Sequence, residues 1–150
     1  MKIESMEIRT LIQDDLTDLL KLYSQLNKED PNIEEDLLEE IWRQTSENKS
    51  IKYIGVFLDS LLVSACQMVV VPNLTRGGQP YCLIENVVTN SEYQNKGYGK
   101  ALLKYTTEMA WRQQCYKVML MSGSKENAVL KFYESTGFSA DEKTAFIVRA

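Results

Sequence analysis

The residues that could do chemistry stand together in residues 83–103. There Glu85 and Asn86 interrupt an apolar run, and Gln94-Asn95-Lys96-Gly97-Tyr98-Gly99-Lys100 follows a short polar link. The order reads as strand, polar loop, glycine-rich turn, helix. Gly97 and Gly99 let the main chain fold tightly and approach a ligand with no Cβ in the way. The first turn of the helix presents unpaired N–H groups and partial positive charge, a site suited to phosphate oxygens. Lys96 and Lys100 add full charges on either side. Two well-known phosphate loops fail here. A Walker A loop ending at Gly99-Lys100 would need glycine at Gln94 and a hydroxyl at Ala101. A dinucleotide GxGxxG beginning at Gly97 would need glycine at Leu102.

Composition narrows the chemistry further. The chain has 150 residues, 17 Lys and Arg against 21 Asp and Glu, and no histidine. The length suits a single domain. The charge of -4 argues against a general nucleic-acid partner. Without histidine, Ser-His-Asp and Cys-His catalysis and most catalytic zinc chemistry fall away, and no metal is expected. Cys66, Cys82 and Cys115 lie apart in apolar stretches with no CxxC pair, which reads as reduced core thiols of a cytoplasmic protein. Residues 1–7 carry acids where a secretory leader needs an apolar run. The longest apolar window, 61–71, holds Gln67 and is too short for a bilayer, so no membrane partner is expected.

The elements that must position residues 83–103 follow from periodicity. Residues 6–12 alternate as a strand. A helix then begins at Asp14 or Asp15, with Leu16, Leu19, Leu20, Tyr23 and Leu26 along one face. A second helix over 33–47 carries Ile33, Leu37, Leu38, Ile41 and Trp42 as its stripe. Strands at 52–58 and 61–71 flank a tight turn at Asp59-Ser60. A loop at 72–80 leads to a strand over 81–89. Residues 99–113 form a helix, 118–121 a short strand, 127–135 a helix stopped by Gly137, and 145–148 a last strand. The order β-α-α-β-β-β-α-β-α-β predicts one α/β domain over residues 1–150, with a mixed, mostly antiparallel sheet and helices on both faces.

Gln94 to Gly99 satisfy the pattern [QR]xxGx[GA] between a strand and a helix. Downstream, Asn127-Ala128-Val129-Leu130-Lys131-Phe132-Tyr133-Glu134-Ser135-Thr136-Gly137-Phe138 satisfies N-A-x-x-x-[FY]-Y-[EK]-x-x-G-F. With both motifs in this order over residues 81–138, the chain resembles the GCN5-related N-acetyltransferase (GNAT) superfamily. The first third resembles that family only in element order. The resemblance implies a GNAT-like acyl-CoA N-acyltransferase fold, acetyl-CoA as cosubstrate and, by analogy with many relatives, a homodimer. It places Gln94, Asn95, Lys96, Gly97, Tyr98, Gly99 and Lys100 at the pyrophosphate. It places Val87, Val88 and Thr89 along the pantetheine arm, beside a bulged strand that splays from its neighbour, with a main-chain N–H near Val88 donating to the thioester oxygen. Asn127 and Phe132 are implied to line the coenzyme channel.

Glu85 is the candidate general base. Alternation places Leu83, Glu85 and Val87 on one face, so partial burial among apolar neighbours would lift the carboxyl toward a useful range. Otherwise Glu85 is an exposed glutamate at the mouth of the sheet that only binds a cationic acceptor. Tyr133 resembles the family tyrosine that lies near the coenzyme sulfur, and a phenol protonated at neutral pH can reprotonate a thiolate. Otherwise Tyr133 only packs its ring against the coenzyme. No cysteine stands beside the turn with a basic partner, so a covalent acetyl-cysteine is disfavoured.

The expected activity is transfer of acetyl from acetyl-CoA to a primary amine of a small acceptor. A non-catalytic acetyl-CoA-sensing module and acetylation of a protein amine stand as alternatives. Residues 1–50 hold 6 basic and 13 acidic side chains, against 11 and 8 in residues 51–150. The acids include Glu29, Asp30, Glu34, Glu35, Asp36, Glu39 and Glu40, a rim that would steer a cationic amine to the acceptor side.

Overall fold

The computed structural model describes residues 5–150, organised around one five-stranded sheet. Its strands are β1 (Met6–Thr10), β2 (Ile51–Leu58), β3 (Leu61–Val71), β4 (Tyr81–Thr89) and β5 (Val118–Leu120), in spatial order β1-β2-β3-β4-β5. The first four run antiparallel and β5 pairs with β4 in parallel. Asp59 and Ser60 take positive φ of 45° and 73°, the left-handed pair that a two-residue turn needs to match the twist of its strands. The parallel β4–β5 step needs a crossover, which is the helix α3 (Tyr98–Arg112).

Helices cover both faces. On one side, Leu102, Leu103 and Ala110 of α3 pack with Ile54, Val56, Val63, Cys66, Met68 and Ile84. Phe132, Tyr133 and Phe138 from α4 (Asn127–Ser135) and the turn after it close over that cluster. On the other side, Leu19 and Leu22 of α1 (Leu16–Leu26) pack with Leu11, Phe57, Leu62, Ala65 and Val88. Central β2 and β3 therefore read as buried runs rather than alternating strands.

Outside the site, the structure differs from the sequence reading in four places. Leu22, three residues after Leu19, takes the core position expected of Leu20, and Leu26 is exposed. Asp15 does not cap α1: it reaches back instead, accepting from Arg9 Nη1 at 2.7 Å, Arg9 Nη2 at 3.0 Å and the Ile12 amide at 2.8 Å. Helix α2 (Glu35–Glu47) starts after Ile33, meets the sheet through Trp42, which stacks at 6.4 Å on Tyr53, and leaves Leu37 and Ile41 exposed, as Ile33 is ahead of it. Finally, residues 145–148 form no strand, and Phe146, Ile147 and Val148 stand in solvent. A strand former without a neighbouring edge has nothing to satisfy its ladder bonds.

Candidate active site

The site forms where β4 loses its regular pairing. Ala65 faces Val88 and Gln67 faces Glu85, so Cys66 of β3 stands opposite two residues, Asn86 and Val87. Asn86 carries a φ of 54°, as the extra residue of a bulge can when its side chain is Asn. One inserted residue reverses which face each later side chain takes. Ile84 lies in the α3-side cluster and Val88 in the α1-side cluster, while Val87 packs against the α3 side. Glu85 and Val87 therefore do not share a face, contrary to simple alternation.

Glu85 belongs to the α1–α2 face. Its cross-strand partner Gln67 donates to Tyr53 Oη at 3.3 Å, and Tyr53 packs in the α1-side cluster. Glu85 is exposed, which corrects the expected partial burial: the bulge carries the strand away from cover just where Glu85 sits. Beyond Ile84 and Leu120, β4 and β5 no longer pair. The main chain from Asn86 to Thr89 is thus left without a β5 partner at the opening between the strands.

Thr89 is tied down on the α3 side. Its hydroxyl lies 2.8 Å from Ser64 Oγ, and Ser64 Oγ also donates to the Val88 carbonyl at 3.0 Å. Gln94 Nε2 donates to the Thr89 carbonyl at 3.2 Å, so Gln94 holds the turn to the strand end. Asn90 Oδ1 accepts from the Glu92 amide at 3.0 Å, and Gln25 of α1 accepts from the Ser91 amide at 2.8 Å.

The turn itself needs two left-handed residues, Asn95 at φ 60° and Gly97 at φ 89°. The first α3 bond runs from Ala101 N to the Gly97 carbonyl at 3.0 Å. Among the described residues, the amides from Asn95 to Lys100 find no protein acceptor. They form a concave set of donors at a helix N-terminus, flanked by exposed Lys96 and Lys100. Lys96 Nζ rests 5.2 Å above the Tyr93 ring, and Tyr93 stacks on Tyr98 at 6.3 Å. Gly99 is buried where a Cβ would lie 3.2 Å from both Phe132 Cζ and Thr89 Oγ1. Its bare Cα lets α4 close on the turn and brings Phe132 beside the strand end. These residues fit a pyrophosphate: free donors, positive charge and a glycine whose missing side chain keeps the approach open.

Tyr133 packs at 5.1 Å from Phe132 and 6.4 Å from Phe138 on the α3–α4 face. Burial raises its phenol above the usual value, with the nearby Cys66 adding to the shift. Asn127 begins α4 and is exposed. The cysteines are free and buried, and burial pushes the Cys66 thiol up to about 11 and Cys82 up to about 12. Thiols held that high are poor nucleophiles at neutral pH. Sequence reasoning did not single out Ser64, Gln67, Tyr53 or Gln25. Each is a single polar residue whose importance comes only from the long-range pairing that sets it beside β4.

An opened strand beside an amide-lined turn is an arrangement suited to a carrier gripped by its phosphates. Residues 14–138 match the model of the acetyltransferase (GNAT) family, and the chain belongs to that family. It is 31% identical over 141 residues to the glucosamine 6-phosphate N-acetyltransferase of Trypanosoma brucei brucei, covering 94% of each chain. Its structure aligns with a putative acetyltransferase from Agrobacterium tumefaciens at a TM-score of 0.91 and 35% identity, covering 96% of this chain and 99% of the other. An aminoglycoside N-acetyltransferase solved in complex with CoA shares the fold at a TM-score of 0.81 and 15% identity, covering 99% of this chain and 97% of the other. The family donor is acetyl-CoA, and no described helix is long and apolar enough to cross a membrane.

Proposed function

We propose that this acetyltransferase carries acetyl to the primary amine of a small, cationic acceptor, with Glu85 as general base and Tyr133 as general acid. The observation that carries the proposal is the bulge at Asn86, which puts Val87 and Thr89 with α3 and α4 while Glu85, before it, stays on the α1 and α2 side. Acetyl-CoA supplies the activated acyl group as a thioester. The amides of residues 95–100 would hold its pyrophosphate, and Val87, Val88, Thr89, Phe132 and Asn127 would line its arm. A main-chain N–H near Val88 would donate to the carbonyl oxygen, and one such donor is worth about 10²–10³ in rate. Glu85 takes the proton from the acceptor ammonium, directly or through one water. Tyr133 returns a proton to the departing sulfur, and its raised phenol stays protonated through the working range.

The cationic preference rests on the acids of residues 29–40. Glu40 is already engaged by Arg43 at 2.7 Å, whereas Asp36 and Glu39 stand exposed beside Trp42 in a surface groove of about 460 Å³. A second reading, the amine of glucosamine 6-phosphate, follows from the trypanosomal relative. We further place the chain in the cytoplasm, where its buried thiols stay reduced, as a homodimer acting on small molecules.

Thiol release with a panel of amines tests the proposal. Polyamines and aminoglycosides should be acetylated faster than neutral amines, and added salt should erode that advantage. Faster turnover of glucosamine 6-phosphate at low salt would favour the second reading. Coenzyme binding with no amine acetylated would return the sensing module. Glu85→Gln should lower turnover by about 10²–10⁴ with coenzyme affinity unchanged, and unchanged turnover would remove Glu85 from the mechanism.

A further inference from the structure

We infer that Tyr23 is a positioning residue: its buried hydroxyl awaits the Asn86 side chain, and the two join when the arm of acetyl-CoA fixes the bulged strand. The inference rests on the coenzyme reading given above and adds what steadies the strand from its far side. Among the described residues, Tyr23 Oη is the one buried side-chain oxygen or nitrogen with no hydrogen-bond partner. The buried hydroxyls of Thr45, Ser64 and Thr106 are all met, donating to the Ile41, Val88 and Leu102 carbonyls at 3.0, 3.0 and 2.8 Å. An unmet buried hydroxyl is destabilising, so one that persists calls for a state in which it is met.

The surroundings identify that state. Tyr23 lies on α1, and its ring packs in the cluster that holds Ala65 and Val88, the pair that closes the bulge. The polar side chain that acts on its hydroxyl is Asn86, which stands at φ 54° in the bulge. Burial raises the phenol well above its usual value, so the group keeps its proton and stays available as a donor to Asn86 Oδ1. Two residues further along α1, Gln25 accepts from the Ser91 amide at 2.8 Å. The helix thus fastens one end of residues 86–91 and lacks only a bond at the other. On the opposite edge, the main chain after Ile84 has no β5 partner, and the Asn86 side chain is exposed. An arm that pairs with this main chain restricts Asn86, and a bond to Tyr23 then forms at little further cost in freedom. A ligand favours the state with which it gains extra interaction, so the hydroxyl adds to coenzyme affinity without touching the coenzyme.

Calorimetric titration with CoA, thermal unfolding of the free chain and amide hydrogen exchange test this. Tyr23→Phe should melt at or above the wild-type temperature without CoA, yet bind CoA roughly three- to tenfold more weakly. At saturating CoA the variant should keep protection of the amides at 97–100 and lose it at 86–89. A tyrosine with a merely structural role would move the melting temperature and leave that exchange pattern alone. Asn86→Gly keeps the left-handed backbone and removes the side chain. Combined with Tyr23→Phe, it should weaken binding no further than the weaker-binding single variant does. Should Tyr23→Phe fail to fold, Asn86→Gly alone decides, and wild-type affinity with wild-type protection at 86–89 would overturn the inference. Wild-type CoA affinity in Tyr23→Phe, a lower melting temperature of that variant when free, or additive losses in the pair would each overturn this inference alone. Absence of CoA binding to the wild-type chain would overturn the coenzyme reading itself, and this inference with it.

Discussion

Gly97→Ala isolates the backbone of the turn proposed to hold the coenzyme's pyrophosphate. Gly97 sits at φ 89°, and nothing lies within 4 Å of the Cβ it lacks, so alanine meets no clash and the whole cost is conformational. Holding an L-residue in the left-handed region costs roughly 1–2 kcal/mol. The change should therefore remove about 1 kcal/mol net of stability from the coenzyme-bound state, a factor of about five in an equilibrium constant. How the cost divides is informative. If the turn keeps its shape without coenzyme, the loss appears in the free protein and affinity is unchanged. If the turn relaxes when free, stability is kept and affinity falls about fivefold instead. Urea unfolding with and without saturating CoA, alongside calorimetric titration, measures both parts, and their sum should be the same in either case. Gly97→Asn, which tolerates this region better, should lose less. Wild-type values for both stability and affinity in Gly97→Ala would refute the role of this backbone geometry.

Three further outcomes follow from the described contacts. Tyr133→Phe should lower turnover while leaving coenzyme affinity close to wild type. Because burial holds the phenol above 10 when folded, its contribution to stability is complete below the unfolded value near 10 and declines as pH rises beyond it, which alkaline unfolding curves would follow. Asp15→Asn should cost about 2 kcal/mol, since Asp15 is buried and ties Arg9 to the Ile12 amide. Arg9 holds the Asp15 carboxyl below its usual range, so this stability is present above about pH 4 and fades as pH falls through the lower folded value, a slope the variant should lack in acid titration. Tyr23→Phe removes a buried hydroxyl that makes no well-formed hydrogen bond among the described residues, Asn86 being the polar side chain that acts on it, so thermal unfolding should show no loss and up to about 1 kcal/mol of gain. A clear loss would mean the hydroxyl has a partner in solution.

What could be read before the structure was what is local. The Asp59-Ser60 turn, the helix opened by Gly97-Tyr98-Gly99 and the α4 motif all depend on neighbours within a few residues, and all appear where their residues imply. The bulge was not legible, because nothing in Ile84-Glu85-Asn86-Val87 announces that β3 will skip a residue opposite it. Only the pairing of Gln67 with Glu85 and Ala65 with Val88 reveals it, and with it that Glu85 and Val87 lie on opposite faces. Ser64, which fastens Thr89, was hidden for the same reason. The strand expected at 145–148 had the right residue types, but a strand exists only when an edge receives it. The stripe on α2 likewise has helical spacing without a surface to cover all of it.

The reversal of sidedness at Asn86 divides labour within the molecule. In the proposed assignment the donor's handle, Gly97, Gly99, Phe132 and Thr89, belongs to one flank of the sheet, while the nucleophile would approach from the other, past α1, α2, Tyr53 and Gln67. Only the short crossing at residues 85–87 is common to both. Substrate choice can therefore drift through changes in the first fifty residues while the carrier-gripping flank stays fixed. Grafting the α1–α2 segment of another member onto this scaffold is the natural route to redirect it.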